Sequence, residues 1–295
     1  MTALAPGVLG LGTAPLGSAG VSDASAEDVV AAAWAAGVRH FDTAPSYGEA
    51  ERRLGRALRT VPRDSIVVST KVGRISMANP EPYELGSTAT GEARFDYSAA
   101  GVRQSVEDSL TRLGLDRVDL VLLHDPEVDL DRATGEALPE LEHLRDEGLA
   151  GRIGVGTTNV EVATRLVREQ AIGVLMLANR WTLLDRTGLP ALDACAERGV
   201  QVLAAAPFNS GFLAAPNTTY DYRPPPADVS AEAARLRGLC EAHGVSLVAA
   251  ALQFPLRHPA VERVVAGMRS RAEVAANTAA VDSPIPEQFW DAVAG

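Results

Sequence analysis

Residues 152–206 read RIGVGTTNVEVATRLVREQAIGVLMLANRWTLLDRTGLPALDACAERGVQVLAAA, and their rhythm decides the fold. Three short apolar runs, 152–157, 174–179 and 200–206, are separated by two amphipathic stretches, 160–170 and 189–198. The first stretch stops before Gly173 and the second at Gly199, the residue type that most readily ends a helix in the left-handed conformation. The apolar runs are rich in Val, Ile and Leu and do not strictly alternate. That pattern predicts strands covered on both faces, as in a parallel sheet flanked by helices.

Outward from this centre the same unit recurs. Strand-like runs lie at 8–13, 38–42, 66–71, 118–124 and 263–267, and helical patterns at 26–36, 49–59, 99–113, 131–147, 230–243 and 246–257. Eight runs with helices between them and no linker predict one closed (β/α)8 barrel of the TIM type, a single domain over 1–295. An open doubly wound sheet is the alternative. Two segments break the rhythm: 73–97, long, polar and rich in Pro and Gly, and 212–228, which contains YDYRPPPAD. Both follow strand-like runs, which would place them on the C-terminal face where barrel active sites sit.

With 27 basic and 38 acidic side chains the net charge is −11, which argues against a nucleic-acid or anionic-membrane surface. Cys195 and Cys240 lie in Ala/Leu-rich helical patterns and read as reduced packing residues; no Cys/His spacing suggests a metal site. The opening MTALAPGVLGLGTAPLG lacks a basic segment and a long apolar run, so neither a signal peptide nor a membrane span is expected, and the cytoplasm is the expected location.

Four polar residues stand at or just after the ends of strand-like runs: Asp42 and Tyr47 in HFDTAPSYG, Lys71 in IVVSTKVGR and His124 in VDLVLLHDPE. In a barrel all strand ends share one rim, so residues far apart in sequence can meet there. Taken singly, Asp42 also reads as a turn cap, Lys71 as a solvated charge, Tyr47 as a loop aromatic and His124 as a structural hydrogen-bonder. Taken together they make a proton-transfer set. A free phenol has a pKa of about 10, so Tyr47 needs several kcal/mol of phenolate stabilisation to act as a base near neutrality. A lysine cation beside it in a water-poor site would supply that, with a carboxylate holding the lysine and a histidine orienting the substrate oxygen.

These motifs, with GLGTAPLG, GRIGVGTTN, APFNSGFLA and AGMRSRAEVAAN in order, make the chain resemble the aldo-keto reductase family over essentially its whole length. IGVGTTN, LANRWTLLD and APFNSGFLA look most like its bacterial aldose 1-dehydrogenase branch, which includes L-fucose, L-galactose and D-threo-aldose dehydrogenases. The resemblance implies an enzyme that binds NAD or NADP without a Rossmann domain. It implies Asp42, Tyr47, Lys71 and His124 as the catalytic set, with Tyr47 taking the anomeric proton as C1 gives a hydride to the nicotinamide.

For the cofactor it implies Gly12, Thr13 and Ala14 on the first strand end, and Thr157, Thr158 and Asn159 in place of a usual Ser-Asn pair. It further implies Asn179 beside Ala178, which replaces a usual Gln, and Pro207, Phe208, Asn209, Ser210 and Gly211. The last group is Gly267, Met268, Arg269, Ser270, Arg271, Glu273 and Asn277. Asn159 reads equally as the N-cap of the next helix. Glu273 stands where many NADP-specific relatives carry Arg and would repel a 2′-phosphate, a lean to NAD that Arg269 and Arg271 temper. Arg74, Asn79, Phe95 and Trp181 are candidate substrate walls.

The substrate is expected to be a small sugar or carbonyl compound, and the protein a monomer or small homo-oligomer. A general aldehyde or ketone reductase, or a pyridoxal 4-dehydrogenase, is the rival within the family. A Schiff-base aldolase using Lys71 and a non-catalytic cofactor-sensing protein are the rivals outside that chemistry.

Overall fold

A computed structural model describes residues 7–75, 94–215, 219–221 and 223–294. Ten strands are present among them: β1 (Leu9–Gly12), β2 (His40–Asp42), β3 (Val67–Val72), β4 (Arg74–Ile75), β5 (Arg94–Phe95), β6 (Val118–His124), β7 (Ala150–Thr157), β8 (Val174–Ala178), β9 (Gln201–Ala205) and β10 (Val261–Gly267). Eight of them close into a parallel barrel in the order β1-β10-β9-β8-β7-β6-β3-β2, and these are the eight runs read from the sequence. The open doubly wound sheet is thereby excluded. Strands β4 and β5 form a small antiparallel hairpin on the segment expected as loop, pairing Arg74 with Phe95.

The helices are α1 (Asp23–Ala35), α2 (Ala50–Leu58), α3 (Ala99–Leu113), α4 (Leu130–Arg132), α5 (Leu138–Asp146) and α6 (Val160–Glu169). They continue as α7 (Leu189–Arg198), α8 (Ala227–His243), α9 (Leu247–Gln253), α10 (Arg271–Val281) and α11 (Glu287–Ala294). Gly114, Gly199 and Gly244 take left-handed C-cap conformations, as their positions predict. The pattern at 131–147 is interrupted by a wide turn at Ala133–Ala137, and that at 246–257 ends in a separate short turn at Pro255–Arg257. Helix α11 was not anticipated; it packs Phe289, Trp290 and Val293 against the body.

Two apolar regions hold the fold. The larger lies between strands and helices. The smaller fills the barrel with Val67, Leu120, Leu122, Val174, Met176, Leu203 and Val265. Both cysteines are buried and free. Among the described residues no single helix is long and apolar enough to cross a membrane.

Candidate active site

Strand periodicity aims the key side chains. Alternate residues on a strand share a face, so Ser69 and Lys71 follow Val67 into the barrel, and His124 follows Leu120 and Leu122. The β2–β3 register sets Asp42 opposite Ser69, beside Lys71. Gly156 on β7 faces the lysine: a Cβ there would lie 3.9 Å from Lys71 Cε, in ordinary contact.

The result is a buried ionic network. Lys71 Nζ donates to Asp42 Oδ2 at 2.8 Å, to Asp42 Oδ1 at 3.0 Å and to the Thr43 carbonyl at 2.9 Å, and it also hydrogen-bonds the Tyr47 side chain. Burial alone would drive the lysine toward its neutral form. The Asp42 charge and the Tyr47 oxygen outweigh it and hold the ammonium above the ordinary lysine range. Asp42 is held in turn. Its Oδ1 accepts from Ser69 Oγ at 2.7 Å, and Thr13 donates to its carbonyl through both N–H and Oγ1, each at 2.9 Å.

Ser69 Oγ lies 2.8 Å from His40 Nε2. Because the serine proton goes to Asp42, Nε2 must be the donor, which fixes the imidazole tautomer. His40 is fully buried; burial, with the charges of Arg263 and Lys71, holds it neutral well below its usual pKa.

Tyr47 sits in the turn after β2. Gly17 packs against its backbone carbonyl so closely that any Cβ would collide with it. Lys71 Nζ lies 4.7 Å from the Tyr47 ring centre, and the His124 ring stands edge-on at 6.2 Å. His124 is buried, and burial with the Lys71 and Arg74 charges holds it neutral well below the usual histidine range. The strand end beneath it is pinned by the Tyr97 hydroxyl, which donates to the carbonyls of His124 at 2.9 Å and Asp125 at 2.6 Å. A phenol touching a buried cation, beside a neutral imidazole, can exchange a proton with a substrate oxygen that the imidazole orients.

Across the rim, the ends of β8 and β9 are built differently. Asn179, Ala206, Asn209 and Ser210 have left-handed backbones, with φ of 62°, 54°, 47° and 61°. Such conformations cost about 1–3 kcal/mol each at non-glycine residues and cluster at binding sites. Asn209 Nδ2 donates to the Asn179 carbonyl at 3.3 Å. Asn179 Oδ1, Asn209 Oδ1 and Ser210 Oγ are buried without a hydrogen-bond partner among the described residues. Amide oxygens of this kind match the N–H donors of a nicotinamide carboxamide, and a serine hydroxyl matches a phosphate oxygen. The residues present therefore fit a nicotinamide dinucleotide.

Farther along the rim, Ser270 caps α10 by accepting from the Glu273 N–H at 3.1 Å. Glu273 Oε2 accepts from the Arg269 N–H at 2.8 Å, so this carboxylate finishes a helix cap as well as placing negative charge there. Arg269 and Arg271 extend into solvent.

Trp181, a candidate substrate wall, is half-buried; its Nε1 donates to the Pro255 carbonyl at 3.2 Å and its ring packs on Phe254 and His258. Thr13 and Met268 are fully buried; the Thr13 hydroxyl serves Asp42, and Met268 joins the core. Asn159 does act as an N-cap, accepting from Val162 N–H at 3.0 Å, while Thr157 donates to Glu127 at 2.8 Å. Thr158 accepts from Arg180 through its carbonyl. Phe95 stacks on Tyr97, and Arg74 lies over Phe95. Asn79 lies outside the described residues. His40, Ser69 and Asp125 were not singled out from sequence, although His40 and Ser69 each stand two residues before a candidate, on the same strand face.

Residues 8–295 match the Aldo/keto reductase family. The chain is 40% identical to a D-threo-aldose 1-dehydrogenase from Pseudomonas sp., with 97% of this chain and 93% of that protein aligned. It is 36% identical to a pyridoxal 4-dehydrogenase from Microbacterium luteolum, over 98% and 93%. An aldo-keto reductase from Bacillus halodurans, solved in a holo form, superposes with a TM-score of 0.81 at 26% identity, covering 97% of this chain and 90% of that one. With the barrel, the strand-end ionic network and these likenesses together, the chain belongs to the aldo/keto reductase family.

Proposed function

We propose that the protein is an aldose 1-dehydrogenase, oxidising the anomeric carbon of a sugar to the lactone with NAD or NADP. The observation that carries the reading is Lys71, buried in the barrel and bonded at once to Asp42 and Tyr47. Likeness over nearly the full chain to a D-threo-aldose 1-dehydrogenase supports the sugar as substrate.

When bound, the dinucleotide supplies the hydride acceptor. The chain's residues do the rest. Tyr47, as phenolate, removes the proton of the anomeric hydroxyl while C1 loses a hydride, so the C1–O bond becomes the lactone carbonyl. Lys71 stabilises the phenolate by charge and hydrogen bond. Asp42 holds Lys71 in place, and Ser69 and His40 hold Asp42. His124, neutral, hydrogen-bonds the substrate oxygen and leaves the proton transfer to Tyr47. Asn179, Asn209 and Ser210 would hold the nicotinamide and phosphate end, and the α10 N-terminus the adenosine end. The Glu273 carboxylate favours a 2′-hydroxyl over a 2′-phosphate, so the preference is for NAD.

An aldolase using Lys71 as a free amine conflicts with an ammonium held protonated among three acceptors. Reduction of a carbonyl is the same chemistry reversed, with Tyr47 as the acid, and the pyridoxal 4-dehydrogenase likeness keeps pyridoxal as the second substrate reading. Initial rates for a panel of aldoses, pyridoxal and simple aldehydes, each crossed with both cofactors, test the proposal. Turnover of aldoses above the others supports it, and reduction of aldehydes with no aldose oxidised refutes it.

A further inference from the structure

Beside His124 stands a carboxylate that the mechanism does not use. Asp125 Oδ2 lies 3.7 Å from His124 Nε2 and 3.2 Å from Arg74 Nη1. Its backbone is in the left-handed region, at φ 49° and ψ 53°. Two contacts pin it there: its N–H donates to the Gly156 carbonyl at 2.9 Å, and the Tyr97 hydroxyl proton is shared between the Asp125 and His124 carbonyls. Arg74 is fixed by the turn at Gly73, which packs on the same Tyr97 ring, and by the β4–β5 hairpin. The fold thus spends a strained residue and a buried tyrosine to present one carboxylate beside the nitrogen that orients the substrate.

We propose that Asp125, supported by Arg74, accepts a hydrogen bond from the substrate hydroxyl on the carbon adjacent to the reacting one, so that the site selects 2-hydroxylated substrates over plain carbonyl compounds. This rests on the reading above only in that His124 holds the reacting oxygen. A vicinal diol carries two oxygens on neighbouring carbons. With one on His124 Nε2, the other reaches Asp125 Oδ2, which lies next to that nitrogen.

A carboxylate is an acceptor with about four lone-pair sites, and Arg74 and His124 leave some of them unused. Closing the site on a substrate without the hydroxyl strips water from those sites and gives nothing back. Sites built around a substrate hydroxyl can reject the analogue lacking it by about 10⁴–10⁵-fold, and for this part-open carboxylate about 100-fold is the expected scale. Burial raises the Asp125 pKa above the ordinary carboxylate value, and the Arg74 charge and hydrogen bond limit that rise.

The test pairs substrates with variants. The ratio of kcat/KM for an aldose to that for its 2-deoxy counterpart is measured in the wild-type enzyme, in Asp125→Ala and in Asp125→Asn. Asparagine tolerates the left-handed backbone and keeps one acceptor oxygen, so it serves if alanine does not fold. The proposal expects a wild-type ratio near 100, a collapse toward unity in Asp125→Ala and an intermediate ratio in Asp125→Asn. The lactone product, titrated calorimetrically, should bind the variants more weakly, in the same order. A ratio unchanged by either variant, with both substrates slowed alike, would overturn it and leave Asp125 a partner of Arg74 only. If no aldose is oxidised by the wild type, the aldose reading fails by itself. The same ratio is then taken in reduction, with lactaldehyde against propanal, and the Asp125 contact stands or falls on that pair.

Discussion

At the ends of β2 and β3 the polar groups are charged and answer one another. At the ends of β8 and β9 they are neutral, and their buried oxygens meet no protein donor among the described residues. The first half is finished before any ligand arrives: Asp42, Lys71, Ser69 and His40 form one chain of bonds whose geometry the strands set. The second half stores its specificity in left-handed backbones and unspent amide oxygens, which a dinucleotide would satisfy. The difference teaches that the proposed proton-transfer set is preorganised by the barrel's strands, whereas the proposed cofactor contacts lie in turns. Damage to one half should therefore leave the other working.

The largest break is at Tyr47. In Tyr47→Phe, kcat/KM should fall about 10³–10⁴-fold, near the upper range for acid–base catalysis. Cofactor affinity, read by quenching of protein fluorescence, should stay within about twofold. Lys71→Met comes next. Turnover should drop by about 10²–10³-fold, and the acidic limb of the oxidation profile should move to higher pH, because loss of the cation disfavours the phenolate.

Ser69→Ala is smaller. Losing a hydrogen bond to a buried carboxylate costs about 1.5–3 kcal/mol, seen as a lower denaturation midpoint together with a shifted pH–rate profile; destabilisation without the pH shift would make Ser69 merely structural.

His40 and His124 give a stability signature. Both have folded pKa values well below 6.5, so the unfolded chain binds more protons as pH falls. Their contribution is intact above about pH 6.5 and is lost on acidification below it, so urea midpoints should fall from about pH 7 to about pH 5. Glu273→Gln is the smallest change. It should raise NADP use relative to NAD by about threefold to tenfold and cost under about 1 kcal/mol, since glutamine can still cap the helix.

How much of this was legible in sequence also differs between the halves. Lys71 and His124 stand out because a polar residue ends an apolar run, and barrel topology brings such ends together. His40 and Ser69 lie inside those runs, where a short polar residue looks like packing. Asp125, before Pro126, looks like a turn. The cofactor half is harder to read because the left-handed φ of Asn179 and Ser210 leaves no periodic trace. Trp181 closely follows a strand end, and only the structure shows that its loop turns the ring toward Phe254. In the wide turn at Ala133–Ala137, the extra residue leaves the apolar spacing of 131–147 nearly unchanged.

The most direct test of the account follows a labelled hydrogen. An aldose carrying deuterium at C1 is incubated with the enzyme and oxidised cofactor, and the products are analysed by mass spectrometry. The account predicts deuterium on the reduced nicotinamide, an unlabelled lactone, and loss of the transfer in Tyr47→Phe despite retained cofactor binding. Label retained in the sugar product, or transfer at near wild-type rate without the phenol, would contradict it.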